Sequence, residues 1–360
     1  MDVSQFIRPD FHDLEAYVPV KPLDVLAREI GMPVERLVKL DANENLYGPI
    51  PEIRDAVANA DLHIYPDPGQ HNLRSAIAHY LGVRLDQVVA GAGSDDLIDI
   101  IIRLVEPAAV VTATPTFGMY GFLGRINHAQ IVEVPRGDAF AVDGEGIARA
   151  VGAGRSVVFL PSPNNPTGNQ LSTVEVEALC ALPALIVIDE AYAEFAGRSA
   201  LPLLDQHPNL VILRTFSKWA GLAGLRVGYS VSHPDLASKL TAIKQPYNVN
   251  VAAEAAAIAA LEHRGVIFET VRALVAEREQ MVRRIRDECS WLVPQPSDAN
   301  FVLFAVEGRD AGEVAASLRE QGVLVRHYRR PDLSNFIRIS AGRPEDTDRL
   351  LEALRSLEAA

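Results

Sequence analysis

A lysine with unusual neighbours is the most informative feature of the sequence. Lys218 follows an apolar, strand-like segment at residues 210–213. Ser217 places a hydroxyl beside it, and Arg226 follows eight positions later across a run of small residues. A lysine amine attacks a carbonyl only when desolvation or nearby positive charge lowers its pKa. A hydroxyl and a guanidinium beside such a lysine suit a phosphate. The combination predicts a Schiff-base lysine next to a phosphate, which is the chemistry of pyridoxal phosphate.

An acidic residue ends a second apolar segment. Residues 185–188 lead directly into Asp189, and Tyr192 lies three positions further on. Open α/β sheets bind ligands at the carboxyl ends of their strands. A carboxylate there can keep a pyridine nitrogen protonated, which makes the ring an electron sink, and the tyrosine can hydrogen-bond the ring hydroxyl. Taken alone, this pair is explained equally well by a helix N-cap and a packed tyrosine.

Two loops with restricted backbones follow other strands. Residues 161–168 contain three prolines and a terminal glycine, which fix the loop so that the amide of Asn165 can point at the cofactor's phenolic oxygen. Residues 91–96 are small or acidic and open an apolar helix, so Ser94, Asp95 and the backbone amides can surround a phosphate. The complete G-x-G-x-x-G pattern of dinucleotide sites is absent, which disfavours a dinucleotide.

Two tyrosines lie close to these motifs in the sequence. Tyr120 ends the run 115–120, which follows another strand, and it is placed to stack on a pyridine ring, although most aromatic residues in such positions belong to the core. Tyr65 lies in a loop stiffened by Pro66 and Pro68 and has no helix or strand pattern of its own.

These motifs require a particular kind of sheet to bring them together. Between residues 88 and 231, short apolar runs alternate with helical stretches, and the runs do not alternate in polarity. Strands of this kind are buried on both faces, which favours a mainly parallel sheet between two layers of helices. The predicted strands are 88–90, 109–113, 156–160, 184–188, 210–213 and 227–231.

A smaller α/β unit is predicted after residue 263. Apolar positions recur at helical spacing over 266–288, which indicates a long amphipathic helix running between domains. Strand patterns follow at 301–304, 323–325 and 336–339, and a final helix begins at Glu345.

Length and composition limit the possible classes of protein. A chain of 360 residues is longer than one hydrophobic core usually accommodates, so more than one domain is expected. We predict an N-terminal segment at 1–45 that packs on the small domain and a partner subunit, a large domain at 46–262 and a small domain at 263–360.

The composition argues against several kinds of partner and site. The net charge of -13 argues against nucleic acid or an anionic membrane as a partner. Cys180 and Cys289 do not form a disulfide framework or a zinc motif, so no metal and a reducing cytoplasm are expected. The sequence has no signal-peptide pattern and no membrane-spanning apolar run.

Taken together, the motifs resemble those of the fold-type I pyridoxal-phosphate aminotransferases. Those that carry this resemblance are Asn-Asn-Pro-Thr-Gly at 164–168, Asp-Glu-Ala-Tyr at 189–192 and Ser-Lys with Gly-Leu-Arg at 217–226. The runs 14–19, 40–49, 65–68 and 115–120 look like the histidinol-phosphate aminotransferase family, along nearly the whole chain. The resemblance implies an α/β fold with a mainly parallel seven-stranded sheet in the large domain, a smaller C-terminal α/β domain, and a homodimer with shared active sites.

The resemblance also implies a role for each cofactor residue. Lys218 forms the Schiff base and then moves the proton between the substrate and the cofactor. Asp189 pairs with the ring nitrogen, Asn165 and Tyr192 hold the ring oxygen, and Tyr120 stacks on the ring. The residues implied to surround the phosphate are Ser94, Asp95, Ser217, Arg226 and, from a partner subunit, Tyr65.

Four residues are assigned to the substrate by the same resemblance. Arg338 binds the anionic end of the substrate and Arg326 assists it, while Tyr17 and Asn45 complete the substrate side. Guanidinium groups suit both carboxylate and phosphate, so one site can accept glutamate in one half-reaction and a phosphate ester in the other.

The sequence therefore predicts a cytoplasmic, homodimeric aminotransferase with a ping-pong mechanism. Its predicted reaction exchanges the amino group between L-histidinol phosphate and 2-oxoglutarate in histidine biosynthesis. An aromatic amino acid aminotransferase and a threonine-phosphate decarboxylase share the cofactor residues and stay open as alternatives. A non-catalytic cofactor-binding regulator is disfavoured, because it needs a DNA-reading module and a basic surface that the sequence does not offer.

Overall fold

Helices and strands alternate through most of the chain in the computed structural model, which describes residues 2–12, 14, 20–152 and 154–358. The α-helices are α1 Leu23–Ile30, α2 Pro51–Ala58, α3 His71–Leu81, α4 Ser94–Val105, α5 Met119–Ile126, α6 Gly144–Ala150, α7 Thr173–Cys180, α8 Ala193–Ala196, α9 Pro234–Ile243, α10 Val251–Glu262, α11 Arg264–Glu288, α12 Ala311–Glu320 and α13 Pro344–Glu358. The strands are β1 Val38–Lys39, β2 Val88–Gly91, β3 Ala109–Thr114, β4 Gln130–Pro135, β5 Ser156–Pro161, β6 Leu185–Asp189, β7 Leu210–Thr215, β8 Gly228–Ser232, β9 Leu292–Pro294, β10 Phe301–Val306, β11 Val323–Leu324, β12 Arg326–His327 and β13 Phe336–Ser340.

Within the described ranges, the larger sheet has seven strands in the order β2-β8-β7-β6-β5-β3-β4. Strand β8 runs antiparallel to both of its neighbours, and the other pairs are parallel. The prediction of a mainly parallel sheet is confirmed. The sequence patterns missed β4, because it lies at the edge of the sheet and exposes several of its residues.

The strand residues face two separate hydrophobic clusters in alternation. In β5, Val158 and Leu160 belong to one cluster, whereas Val157 and Phe159 belong to the other. Successive side chains of a strand point to opposite faces of the sheet, so both faces of β5 are covered by apolar residues. This explains why the strand reads as a continuous apolar run in the sequence.

A second sheet is antiparallel in the order β12-β13-β10-β9, and β1 pairs with β11 beside it. The strand predicted at 323–325 is found as β11, whereas the sequence patterns missed β12, which follows it and belongs to a different sheet. Helix α11 connects two cores, because Leu274 packs in the cluster of the large sheet and Ile285 in that of the small sheet. No helix in the described ranges is long and apolar enough to cross a bilayer.

Candidate active site

A cavity of about 380 Å³ opens where several strands of the large sheet end. Its volume is in the range of small-molecule and cofactor sites. The wall contains these predicted site residues: Ser94, Asp95, Tyr120, Asn165, Asp189, Tyr192, Ser217, Lys218, Arg226, Arg326 and Arg338. Residues separated by more than two hundred positions in the sequence therefore meet in one place.

Lys218 lies just beyond the carboxyl end of β7 and is partly buried. Its Nζ donates a hydrogen bond of 3.1 Å to the carbonyl oxygen of Ala42 and lies 5.9 Å from the centre of the Tyr192 ring. Burial lowers the pKa of the lysine to about 8, and the positive charge of Arg338 adds to the effect. Near neutral pH, an appreciable fraction of this amine is therefore unprotonated and nucleophilic.

Asp189 ends β6 and is buried. One carboxylate oxygen accepts a hydrogen bond of 2.8 Å from the Tyr120 hydroxyl, and the other accepts one of 3.0 Å from the backbone amide of Ala191. Burial raises the pKa of Asp189 to about 6, while these two hydrogen bonds oppose the rise. Among the residues that the structure describes, none forms an ion pair with this carboxylate. A buried carboxylate is costly without a cation beside it, and a protonated pyridine nitrogen fits that requirement.

The structure corrects the role expected for Tyr120. Its ring is fully buried and stacks on Phe159, with a centroid distance of 5.2 Å and an interplanar angle of 7°. Because its hydroxyl binds Asp189, Tyr120 supports the carboxylate from within the wall. Phe117 is half-buried, lines the same cavity and contacts Tyr120 edge-on at 5.6 Å. Phe117 has more accessible ring surface than Tyr120, and the sequence patterns missed it because most aromatic residues in such positions belong to the core.

The predicted phosphate site lies at the N-terminus of α4, which begins at Ser94. Arg226 forms an ion pair of 3.2 Å with Asp95, and its own backbone is in the left-handed region at a φ of 53°. Gly93, just before the helix, has a φ of 88°, a backbone conformation that favours glycine, and the Arg226 guanidinium packs against it. Helix N-termini with a guanidinium alongside bind phosphate well, and Ser217 is buried in the same wall.

The cavity wall also contains several guanidinium groups. Arg338 is buried and donates hydrogen bonds to the amide oxygen of Asn165 and to the carbonyl oxygen of Asp41. The Arg326 guanidinium lies 5.7 Å from the centre of the Tyr328 ring. Arg330 also lines the cavity, although it is paired at 3.0 Å with Asp332, and the sequence patterns did not single it out.

Two of the predicted residues, Tyr65 and Asn45, do not line the cavity. Tyr65 is 79% exposed and stacks on Tyr247 at 4.7 Å. Asn45 is buried, and its side-chain amide donates a hydrogen bond of 3.1 Å to the carbonyl oxygen of Trp219. It therefore holds the backbone of the residue that follows Lys218. Tyr17 lies outside the described residues.

Comparisons with known proteins agree with this geometry. The profile of the family described as aminotransferase class I and II matches residues 35–354. A histidinol-phosphate aminotransferase of Roseiflexus castenholzii is 47% identical over 367 residues and covers 99% of both chains. Histidinol-phosphate aminotransferase 1 of Arabidopsis thaliana, a chloroplastic protein, is 44% identical over 98% of this chain and 86% of its own. The crystal structure of the Sinorhizobium meliloti histidinol-phosphate aminotransferase in complex with pyridoxal-5'-phosphate has a TM-score of 0.86 at 32% identity and covers 98% of each chain.

The chain belongs to the class I and II aminotransferase family. Membership confirms the predictions of a fold-type I α/β fold, of a transaminase and of pyridoxal phosphate as the cofactor. The resemblance to histidinol-phosphate aminotransferases is confirmed as well.

The environment of Lys218 leads to a prediction for the cofactor-free protein. Its rate of acetylation should rise with pH and reach half of its maximum near pH 8, because burial and Arg338 disfavour the charged amine. Arg338→Gln should move this midpoint to higher pH, since it removes a positive charge. Peptide mass spectrometry measures the rate, with the exposed Lys239 as an internal comparison. A midpoint at about 10.4, the value for a free lysine side chain, would contradict the account.

Proposed function

We propose that this chain transfers the amino group between L-histidinol phosphate and 2-oxoglutarate, with pyridoxal phosphate as cofactor, as a step of histidine biosynthesis. The observation that carries the proposal is the shared cavity, whose wall combines Lys218 and Asp189 with Arg326 and Arg338. Two relatives that cover 99% and 98% of the chain, at 47% and 43% identity, are histidinol-phosphate aminotransferases, which supports the choice of substrate.

In the proposed site, pyridoxal phosphate is held by residues from several strand ends. The Ser94 end of α4, Arg226 and Ser217 bind its phosphate, and Asp189 binds its ring nitrogen. Asn165 and Tyr192 bind its ring oxygen. When bound, the cofactor supplies an electron sink for the carbanion that forms as the Cα–H bond breaks.

The protein's own part in the reaction is proton transfer and orientation. Lys218 takes the proton from the substrate Cα and then donates it to the cofactor. A pKa of about 8 suits both accepting and donating a proton near neutral pH. Asp189 stays buried and anionic beside the ring nitrogen, because Tyr120 and the Ala191 amide stabilise its charge.

The substrate's anionic end is assigned to Arg326 and Arg338. Histidinol phosphate carries a phosphate and no carboxylate, whereas glutamate carries two carboxylates. A guanidinium presents parallel N–H donors to either group, so the same two side chains can serve both half-reactions. Aromatic amino acids carry one carboxylate with a single negative charge, whereas a phosphate ester carries up to two, so they gain less from a pair of guanidinium groups.

We expect histidinol phosphate to be the best amino donor in half-reactions followed by cofactor absorbance. Its kcat/KM should exceed those of phenylalanine and threonine phosphate by at least about a hundredfold, as expected from losing well-made polar contacts. A best rate with phenylalanine would favour the aromatic aminotransferase, and release of carbon dioxide from threonine phosphate would favour the decarboxylase. Either result would overturn the proposed substrate while leaving the family unchanged.

We also propose that the enzyme is a cytoplasmic homodimer in which Tyr65 reaches the partner's phosphate site. Tyr65 is 79% exposed in the loop between α2 and α3, which also exposes Leu62 and Ile64. Exposed apolar groups clustered in this way are typical of protein interfaces. Tyr65 also lies outside the cavity of its own chain, as a residue serving the partner's site would.

Mixing two inactive variants tests the shared site. Lys218→Ala should be inactive and Tyr65→Ala strongly impaired, because each lacks a different group. After denaturation and joint refolding at equal amounts, about a quarter of the wild-type activity should return, because half of the dimers are mixed and each has one intact site. Absence of any recovery, with mixed dimers verified by mass spectrometry, would place Tyr65 outside the partner's site.

A further inference from the structure

We propose that Asn43 is a positioning residue that fixes the direction of the hydrogen bond made by the Tyr192 hydroxyl. Nothing in the sequence patterns assigned a role to Asn43. The inference deepens the proposed function and rests on its assignment of Tyr192 to the cofactor's ring oxygen. It follows from a chain of hydrogen bonds that begins on β13 and ends in the cavity.

The first link is between Asn43 and Ser340, both of which are 1% exposed. The backbone amide of Asn43 donates to the Ser340 hydroxyl at 2.9 Å, and that hydroxyl donates to the side-chain Oδ1 of Asn43 at 2.9 Å. If the Asn43 amide were turned around, the serine hydrogen would have no acceptor in a buried site, which is costly. The serine therefore sets which end of the amide faces Tyr192.

The second link runs from Asn43 to Tyr192. The side-chain Nδ2 of Asn43 donates to the tyrosine oxygen at 2.9 Å. Because the tyrosine oxygen is already an acceptor in this bond, its own hydrogen is directed elsewhere, and Tyr192 lines the cavity. Burial raises the pKa of Tyr192 to about 12, so the hydroxyl keeps its hydrogen over the working pH range. The geometry makes Tyr192 a donor toward the ring oxygen of the cofactor.

The backbone around Asn43 is held as firmly as its side chain. Its φ is 54°, in the left-handed region where asparagine, aspartate and glycine are tolerated best. Its carbonyl oxygen accepts a hydrogen bond of 3.1 Å from the Asn300 amide. The two preceding carbonyl oxygens accept hydrogen bonds from active-site cations, Ala42 from Lys218 and Asp41 from Arg338. Residues 41–43 therefore contact Arg338, Lys218 and Tyr192 in turn.

The test compares two substitutions that keep the left-handed backbone. In Asn43→Asp, an ionised carboxylate accepts the hydrogen of Tyr192 and draws it away from the ring oxygen. Asn43→Gly removes the amide but leaves Tyr192 free to turn toward the cofactor. The measurement is the pH midpoint of the visible absorbance change of the purified holoenzyme without substrate, with thermal unfolding as a check of folding.

We expect the midpoint of Asn43→Asp to rise by about one pH unit, which matches the loss of one hydrogen bond to a charged group. A hydrogen bond donated to the ring oxygen disfavours the protonated chromophore, so its loss raises the midpoint. Tyr192→Phe should produce the same rise, and Asn43→Gly a smaller one. The double variant Asn43→Gly with Tyr192→Phe should equal Tyr192→Phe alone, because Asn43 acts through the tyrosine and glycine adds no charge.

The charged and titratable groups around Tyr192, namely Asp189, Lys218, Tyr328 and Arg338, are the same in both variants at position 43, and only Asn43→Asp adds a further charge. A midpoint in Asn43→Asp equal to that of the wild type would overturn the proposal. So would a larger shift in Asn43→Gly, which a purely structural role predicts, or a further shift in the double variant. The titration uses no substrate, so its result for Asn43 is valid even if histidinol phosphate is not the amino donor. A wild-type holoenzyme without a visible absorbance band would instead refute the proposed function.

Discussion

The site depends on removing two oppositely charged groups from water at the carboxyl ends of two adjacent parallel strands. Asp189 ends β6, and Lys218 follows the adjacent strand β7. Burial raises the pKa of the carboxylate to about 6 and lowers that of the amine to about 8. The two values approach each other from opposite directions, so both groups are close to their titration range near neutral pH. The same burial makes the cavity favourable for a ligand that brings a positive ring nitrogen and a reactive carbonyl.

The supporting structure keeps these two strand ends in register. Glu190 follows Asp189 directly. Arg214 on β7 donates hydrogen bonds of 3.0 and 2.7 Å to the carboxylate of Glu190. Arg214 also pairs with Glu194 at 3.2 Å. This buried ion-pair cluster lies outside the cavity wall. Removing one partner of such a cluster leaves an uncompensated buried charge and costs several kcal/mol, so the spacing of the strand ends is strongly fixed.

The sequence was sufficient for those parts whose signal is local. Strands such as β5 are buried on both faces and therefore appear as unbroken apolar runs. Strand β4 could not be found in this way, because an edge strand has no such run. The choice between Tyr120 and Phe117 also needed the fold, since only the fold shows that the tyrosine hydroxyl reaches Asp189. Asn43 gave no local signal, because its partners are about 150 and 300 positions away.

The central claim is that Lys218 is the residue that holds the cofactor and moves the proton. Borohydride reduction of the holoenzyme, followed by proteolysis and peptide mass spectrometry, tests it most directly. The account predicts that the phosphopyridoxyl group is found on the peptide containing Lys218, and that Lys218→Ala abolishes both the adduct and transamination. An adduct on another buried lysine such as Lys244, with Lys218 unmodified, would contradict the account.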